Sequence, residues 1–119
     1  MDQYIISQLY QEFENHLFPF WEGLIDRENG GFYGIMDFQL NLHKDAPKGC
    51  ILNSRILWTF STAYLTLKDE SYLPYAKQAY EMLKNSFLDR EYGGVYWSVK
   101  ADGTPDEDMK HTYNQAFAI

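Results

Sequence analysis

Positive charge is scarce in this sequence. Ten Lys and Arg residues stand against 17 Asp and Glu residues, which leaves a formal net charge of -7, and no basic run is longer than two residues. Nucleic acids and anionic membrane surfaces are both bound through clustered positive charge. The sequence therefore argues against nucleic acid and against a membrane as partners.

Long apolar runs and cysteine are also scarce. No stretch approaches the roughly 18 apolar residues of a membrane-spanning helix, and the N-terminal MDQYIISQLYQEF has no basic segment followed by a hydrophobic block. Cys50 is the sole cysteine, so the chain cannot form an internal disulfide, and we expect Cys50 to be a small buried apolar residue. These features predict a cytoplasmic protein.

Spacings typical of metal sites are missing as well. The histidines His16, His43 and His111 lie too far apart for the spacing of about three to five residues that zinc ligands use. The D-x-E-x-G-G motif at Asp26 resembles a calcium loop faintly, but it lacks the third acidic position and the final bidentate glutamate. We therefore expect no bound metal.

What the sequence does contain is a near-repeat of nine residues. DRENGGFYG at residues 26–34 (joint 1) is followed 63 positions later by DREYGGVYW at residues 89–97 (joint 2). Each Gly pair can adopt positive φ and turn the chain sharply out of a helix. Each Asp-Arg pair can satisfy loose backbone groups or pair with a neighbouring joint. We interpret the two joints as the same position in successive helix–hairpin–helix repeats.

Apolar residues recur at spacings of three and four in several segments, which predicts amphipathic helices. Asp69 or Ser71 can cap the third helix, and Pro74 fits its first turn. The predicted helices cover about residues 2–21, 52–68 and 73–87, and a fourth begins around 110–113.

Each Gly pair is followed by an alternating stretch rich in aromatic residues, which predicts a short strand. The stretches are GGFYGIMDFQLN in the first copy and GGVYWSVKADGTPDED in the second, where Asp102-Gly103 predicts a hairpin turn. The predicted fold is all-α with small β-hairpins, arranged as part of a toroid of paired helices. Residues 1–119 would form a single partial domain, and since YNQAFAI carries no stop signal, we expect the last helix to continue in a longer protein.

Three phrases carry a family resemblance: KGCILNSRILWTFSTAY at residues 48–64, YGGVYWSV at 92–99 and YNQAFAI at 113–119. Together they resemble the N-terminal part of cellobiose 2-epimerases in the N-acylglucosamine 2-epimerase superfamily. The resemblance runs along all 119 residues and covers about the first third of a family member. It implies a partial (α/α)6 barrel whose β-bearing loops border a sugar site.

The resemblance also implies a chemistry. The family inverts C2 of the reducing-end glucose of a disaccharide: the ring opens, a base removes the C2 proton to give a cis-enediolate, and an acid returns a proton to the other face. Histidines do this work without a metal or organic cofactor. None of the three histidines here matches the family's acid or base position, so we expect no catalytic residue in this chain and no activity from it alone.

Binding residues do carry over from the resemblance. Arg55, in NSRILW, matches the arginine that reaches the reducing-end oxygens, and we expect it on a buried inner helix, where a fixed charge suits an enediolate. Tyr113, in YNQAF, matches a tyrosine that lines the same pocket. Trp58 follows Arg55 by three residues and can stack on a pyranose or pack in the wall. The alternatives are a surface or ion-paired Arg55 and a Tyr113 in ordinary core packing.

Two other functions stay open at this point. One is another α/α-barrel sugar isomerase or epimerase, or a glycosidase, although no acidic pair stands out among the loop residues Asp37, Glu91 and Asp106. The other is a self-associating α/α-repeat module with a binding or structural role, in which a homo-oligomer covers the open flank of the array.

Overall fold

The computed structural model describes residues 2–119 and is mainly helical, as predicted. The helices are α1 (Gln3–Glu12), α2 (Phe18–Glu22), α3 (Cys50–Leu67), α4 (Leu73–Met82) and α5 (Thr112–Phe117). A π-helical turn, Phe13–Leu17, joins α1 to α2, a 3-10 turn, Glu70–Tyr72, precedes α4, and a second π-helical turn, Leu83–Phe87, follows it. The strands are β1 (Lys48–Gly49), β2 (Ser98–Val99) and β3 (Pro105–Glu107).

The helix ends follow from local side-chain chemistry. The Asp2 carboxylate accepts a hydrogen bond from the Tyr4 N–H at 2.9 Å and caps α1. The Asp69 carboxylate accepts one from the Ser71 N–H at 2.8 Å and caps the 3-10 turn that leads into α4, so Asp69, and not Ser71, is the capping residue. Lys68 ends α3 in the left-handed conformation, with φ of 58°. The four predicted helical segments are thus confirmed, with shifts of a few residues at their ends.

The strands form one antiparallel sheet of order β1-β2-β3. The hairpin turn between β2 and β3 is confirmed: the Asp102 carboxylate accepts from the Thr104 N–H at 2.9 Å, and Gly103 has φ of 87°. Strand β1 was not predicted, because two residues carry no alternating pattern. It exists because Lys48 pairs with Val99 and Gly49 with Ser98 across the two repeats.

The strand predicted after the first Gly pair is wrong. Residues 31–42 hold only isolated bridges, Ile25 with Phe32 and Met36 with Leu42, instead of a continuous ladder. The reason is the Asp37 carboxylate, which accepts from the N–H groups of Gln39 and Asn41 and folds the backbone into a local turn. Leu40 completes this turn with φ of 65°.

Helix α3 packs along α4, and the core fills their interface and the space under α2. Aromatic rings dominate this core: Phe18 meets the Tyr75 ring edge-on at 5.1 Å and the Tyr72 ring at 5.2 Å between centroids, and Phe60 lies 5.2 Å from Tyr75. A second, smaller cluster lies under the sheet and contains Cys50, Met82, Phe87, Val95 and Val99. The expected burial of Cys50 is confirmed.

Candidate functional site

The two joints fold alike. In joint 1 an Asp26 carboxylate oxygen accepts from the N–H groups of Glu28 and Asn29, both at 3.0 Å. In joint 2 the Asp89 carboxylate accepts from Glu91 and Tyr92 at 3.0 and 3.1 Å. The Gly pairs have φ of 84° and 67° in joint 1 and of 79° and 71° in joint 2. The expected positive φ and the expected role of each Asp are both confirmed.

The second oxygen of each joint Asp binds a lysine that the sequence analysis missed. Lys48 Nζ lies 2.6 Å from Asp26 Oδ2, with both side chains fully buried, and Lys110 Nζ lies 2.8 Å from Asp89 Oδ2. Within residues 2–119 no ion pair joins Arg27 or Arg90 to these carboxylates. The signal was present in the sequence, because each lysine follows its Asp at nearly the same distance, and it was overlooked because lysines are seldom buried.

These contacts shift the acidity of both carboxyls. The hydrogen bond from Lys110, with those from the backbone of joint 2, lowers the pKa of Asp89 to about 2. Burial alone would raise the pKa of Asp26, but its hydrogen bonds from Lys48 and from the backbone outweigh burial and lower it. Both carboxyls are therefore ionised at neutral pH and hold their joints as fixed anions.

The Asp89 shift predicts a pH dependence of stability. Since the folded pKa of about 2 lies below the ordinary 3.8, the stabilisation by this carboxylate is complete above about pH 4 and is lost as the pH falls towards 2. We expect Asp89→Asn to be less stable than the natural sequence at pH 7 and to converge with it by pH 2. Urea unfolding followed by circular dichroism at several pH values measures this.

Asp45 offers the matched control for that experiment, because it is exposed and has no hydrogen-bond or ion-pair partner in the described residues. Asp45→Asn should give a stability curve parallel to that of the natural sequence from pH 7 to pH 2. An Asp89→Asn curve that also runs parallel would contradict the role given to the Asp89 carboxylate.

Arg55 lies on α3 beside a cavity of about 380 Å³. The expectation that it is buried is wrong for the chain as described, since Arg55 is exposed. Its position on the helix explains this: the buried residues Asn53, Ile56 and Phe60 lie on one face of α3, and Arg55 lies on the opposite one. The cavity wall is otherwise mostly apolar and is formed by Phe13, Phe18, Trp21, Ile51, Leu52, Ile56, Thr59 and Phe60. Among the described residues that line this cavity, Arg55 alone is charged.

Trp58 lines a neighbouring concavity, also of about 380 Å³, between α1 and α3. The two cavities share Phe13 and Thr59, so Arg55 and Trp58 are adjacent on one face of the molecule. The Trp58 side chain is 70% exposed, so its ring can contact a ligand or another part of the protein.

Tyr113 stands apart from this pair. It lies on α5, is 63% exposed and packs edge-on against Phe117 at 4.9 Å between ring centroids. Helix α5 contacts α3, and the buried Asn114 donates to the Tyr96 carbonyl at 3.0 Å. Tyr113 does not line the Arg55 cavity, so their convergence on one ligand stays a prediction.

The histidines are spread over the molecule, as their spacing indicates. His16 lies 2.7 Å from Glu12 on α1, and His43 lies 3.5 Å from Asp37 in the loop after joint 1. The His111 ring stacks edge-on with Trp97 at 4.9 Å. Of the loop acids weighed for a glycosidase, Asp106 accepts from the Ser98 hydroxyl at 2.9 Å and Asp37 holds its own turn.

Residues 2–119 present neither a cluster of metal ligands nor a membrane-spanning helix. No group of three or more His, Cys, Asp or Glu side chains between residues 2 and 119 is placed to hold a metal ion. None of the helices in that part of the chain combines the length and the apolar composition that a membrane crossing needs.

Comparison with known proteins gives consistent matches. The family model described as N-acylglucosamine 2-epimerase (GlcNAc 2-epimerase) matches residues 30–119. A cellobiose 2-epimerase of Ruminococcus albus is 55% identical over 115 residues, which are 97% of this chain and 30% of that protein. A cellobiose 2-epimerase of Eubacterium cellulosolvens is 52% identical over 111 residues, 93% of this chain and 27% of that protein.

Solved structures agree with the sequence matches. The structure of cellobiose 2-epimerase from Bacillus thermoamylovorans B4167 superimposes with a TM-score of 0.95 and 46% identity, covering 98% of this chain and 30% of that one. The chain thus spans about 30% of the length of the relatives that it matches.

Proposed function

Because the chain belongs to the N-acylglucosamine 2-epimerase family, we propose that it is the N-terminal portion of a carbohydrate epimerase acting on the reducing-end glucose of a disaccharide. The reaction would invert C2 and convert cellobiose to glucosyl-mannose. The observation that carries this proposal is the 55% identity with a cellobiose 2-epimerase along nearly the whole chain. Residues 1–119 would form a partial domain of an (α/α)6 barrel, with joints 1 and 2 marking successive repeats.

The Arg55 cavity supports a role in binding the open-chain sugar. Its aromatic and aliphatic lining suits the C–H faces of a sugar, and the one guanidinium offers several N–H donors to oxygen atoms. Removing the C2 proton of the open-chain aldehyde places negative charge on O1, and O2 beside it keeps its hydroxyl proton. An arginine beside those oxygens would stabilise the charge while remaining protonated itself, which histidine or lysine cannot guarantee.

Trp58 and Tyr113 complete the proposed contribution of this chain. Trp58 would stack on the sugar or form the wall beside Arg55, since the two line adjacent cavities. Tyr113 would offer its hydroxyl to a sugar oxygen from α5. The proton transfers themselves would be carried out by histidines outside residues 1–119, so the chain alone would bind sugar without epimerising it.

Isothermal titration with cellobiose and with lactose tests the sugar site. We expect weak binding to the natural sequence, and Arg55→Ala should raise the Kd at least tenfold, equivalent to about 1.4 kcal/mol, because the only charged donor of the cavity is lost. Circular dichroism checks that the variant keeps its fold, which is expected since Arg55 is exposed.

Arg90→Ala is the matched control. Arg90 is also exposed and makes one contact, a hydrogen bond from Nη2 to the Lys84 carbonyl at 3.0 Å, far along the chain from the cavity. Equal affinity of the two variants for both sugars, or no binding by the natural sequence, would count against the site at Arg55.

A second function is favoured by one observation, the apolar surface left on the flank formed by α1 and α3. Its exposed large side chains include Tyr4, Ile5, Leu9, Tyr10, Trp58 and Leu65. A surface of this kind is typical of an interface. In this alternative the chain is a self-associating module whose second copy covers the flank. Light scattering in the titration buffer separates the two: a stable dimer that binds neither sugar supports the module.

A further inference from the structure

Joint 1 is covered by parts of the following repeat. Lys48 Nζ donates to Asp26 at 2.6 Å, to the Gly30 carbonyl at 2.8 Å and to the Ala101 carbonyl at 2.9 Å. The first two acceptors belong to joint 1, whereas Ala101 lies in the hairpin turn of the second repeat. The Lys48 ammonium group therefore binds joint 1 through two acceptors and the hairpin of the next repeat through a third.

Helix α4 completes the cover. The Gln78 amide donates to the Asp26 carbonyl at 2.8 Å. A β-carbon placed on Gly31 would lie 2.7 Å from the Met82 side chain, so methionine closes over the Gly pair. Lys48 is 0% exposed under these contacts.

Joint 2 has the same internal parts but a less complete cover in the described residues: a β-carbon on Gly94 would lie 2.5 Å from Gln115 Oε1 of α5, the helix that follows this joint. Lys110 makes one hydrogen bond there, to Asp89, and its side chain is 34% exposed. A β-carbon on Gly93, the counterpart of Gly30, would meet no atom within 4 Å. No side chain in residues 2–119 donates to the Asp89 carbonyl as Gln78 does to that of Asp26.

The backbone beside Lys48 is paired in a sheet, whereas the backbone beside Lys110 has no such pairing in the described residues. Lys48 and Gly49 form β1, which pairs with the hairpin strand β2, and the Cys50 N–H donates to the Trp97 carbonyl at 3.1 Å. His111, which precedes α5, has an extended backbone with φ of -61° and ψ of 128°. Gly49, which precedes α3, is extended as well. Residues 108–111, however, belong to no strand in the part of the chain described, so this extended segment can pair with a further strand.

We propose that joint 2 and the extended segment at Lys110 are the docking surface for a third helix–hairpin repeat of the full-length protein. An antiparallel hairpin strand pairs with residues 110–111, its turn places a backbone carbonyl on Lys110 Nζ, and a helix covers Gly93 and supplies a donor to the Asp89 carbonyl. The inference rests on the proposed function, in which the 119 residues are part of a longer barrel. Each joint lysine is then the link that sets the register of one repeat on the next.

The occupant is argued from the molecule itself. Joint 1 shows what covers a joint of this sequence, namely the following hairpin and helix, and joint 2 presents the same Asp, the same Gly pair and a lysine at nearly the same distance. The matched relatives have room for further repeats, because this chain spans only 30% of the length of the Ruminococcus albus protein. The acceptor that Lys110 still lacks is a neutral carbonyl, which fits a hairpin turn.

Fragment complementation tests the proposal. The probe is the part of the Ruminococcus albus cellobiose 2-epimerase that lies outside the 115 matched residues. We expect it to associate with the 119-residue chain and to slow hydrogen exchange at the N–H groups of Glu91 and Tyr92 at least tenfold. The same groups of Glu28 and Asn29 in joint 1, which is already covered, should not change.

Lys110→Met should weaken this association at least tenfold, and Lys110→Arg should restore part of it. Lys77→Met is the control, since Lys77 is exposed on α4 and its side chain forms no hydrogen bond or ion pair within residues 2–119. The proposal is overturned by association that leaves joint 2 unprotected, by equal effects of the two methionine variants, by no association, or by a dimer of the chain that protects joint 2 without the probe.

Cellobiose epimerisation by the mixture separates this inference from the proposed function. Epimerisation with an unprotected joint 2 would retain the function and overturn the docking surface. Protection of joint 2 with neither epimerisation nor sugar binding would support the docking surface and count against the function.

Discussion

Replacing Lys48 with methionine is expected to lower the free energy of unfolding by about 3–5 kcal/mol, the cost of leaving one partner of a buried ion pair without the other. Lys48 and Asp26 are both fully buried, so the Asp26 carboxylate would remain in the interior without its cation. The carbonyls of Gly30 and Ala101 would lose their donor as well. Urea unfolding at pH 7 measures the loss.

Joint 2 supplies the control for the substitution of Lys48. Lys110→Met removes the matching lysine of joint 2, which is 34% exposed and makes one hydrogen bond, so we expect a clearly smaller loss. The double variant Lys48→Met/Asp26→Asn should be more stable than Lys48→Met, because no buried charge is left unpaired. The deficit of Lys48→Met should also shrink at low pH, where Asp26 is protonated. Equal losses from Lys48→Met and Lys110→Met would refute the buried link.

Gly34→Ala is expected to destabilise the protein by about 3 kcal/mol, at the upper end of what overpacking costs. A β-carbon on Gly34 would overlap the Pro47 carbonyl oxygen and lie 3.3 Å from the Pro47 carbonyl carbon and 3.4 Å from Lys48 Cα. These are backbone atoms, so no side-chain rotation relieves the overlap, and the segment leading into β1 must move. Thermal unfolding measures the change.

Gly49→Ala is the matched control for that experiment. Gly49 lies in the same segment, has φ of -89°, and a β-carbon there would meet nothing within 4 Å. Gly49→Ala should change the free energy of unfolding by no more than about 1 kcal/mol, which is the scale of replacing the residue before a helix. A Gly34→Ala protein as stable as Gly49→Ala would show that the segment at Pro47 yields readily.

Much of this fold was predictable because its signals are local. Helical periodicity depends on which residues face the core, and the Gly pairs and Asp102-Gly103 specify turns that need positive φ. Strand β1 was not predictable in this way, because Lys48 and Gly49 become a strand only through pairing with residues 98–99 of the next repeat. The strand expected after joint 1 failed because the Asp37 carboxylate competes for the backbone N–H groups of its own loop.

The candidate site was less predictable than the fold. Family resemblance named Arg55, Trp58 and Tyr113, and the structure brings the first two to adjacent cavities while Tyr113 lies on α5. The buried lysine of joint 1 was missed because a lysine in a sequence gives no sign of its burial. Comparing positions across the two joints would have found it, since a lysine follows each joint Asp at nearly the same distance.

The cover of joint 1 has a consequence for how the chain folds as it is made. The residues that close this joint, Gln78, Met82 and Ala101, come long after Asp26 in the chain. A ribosome adds about 5–20 residues per second, so the N-terminal joint stays incomplete for on the order of 10 s during synthesis. Joint 1 is therefore completed only after the second hairpin has been synthesised.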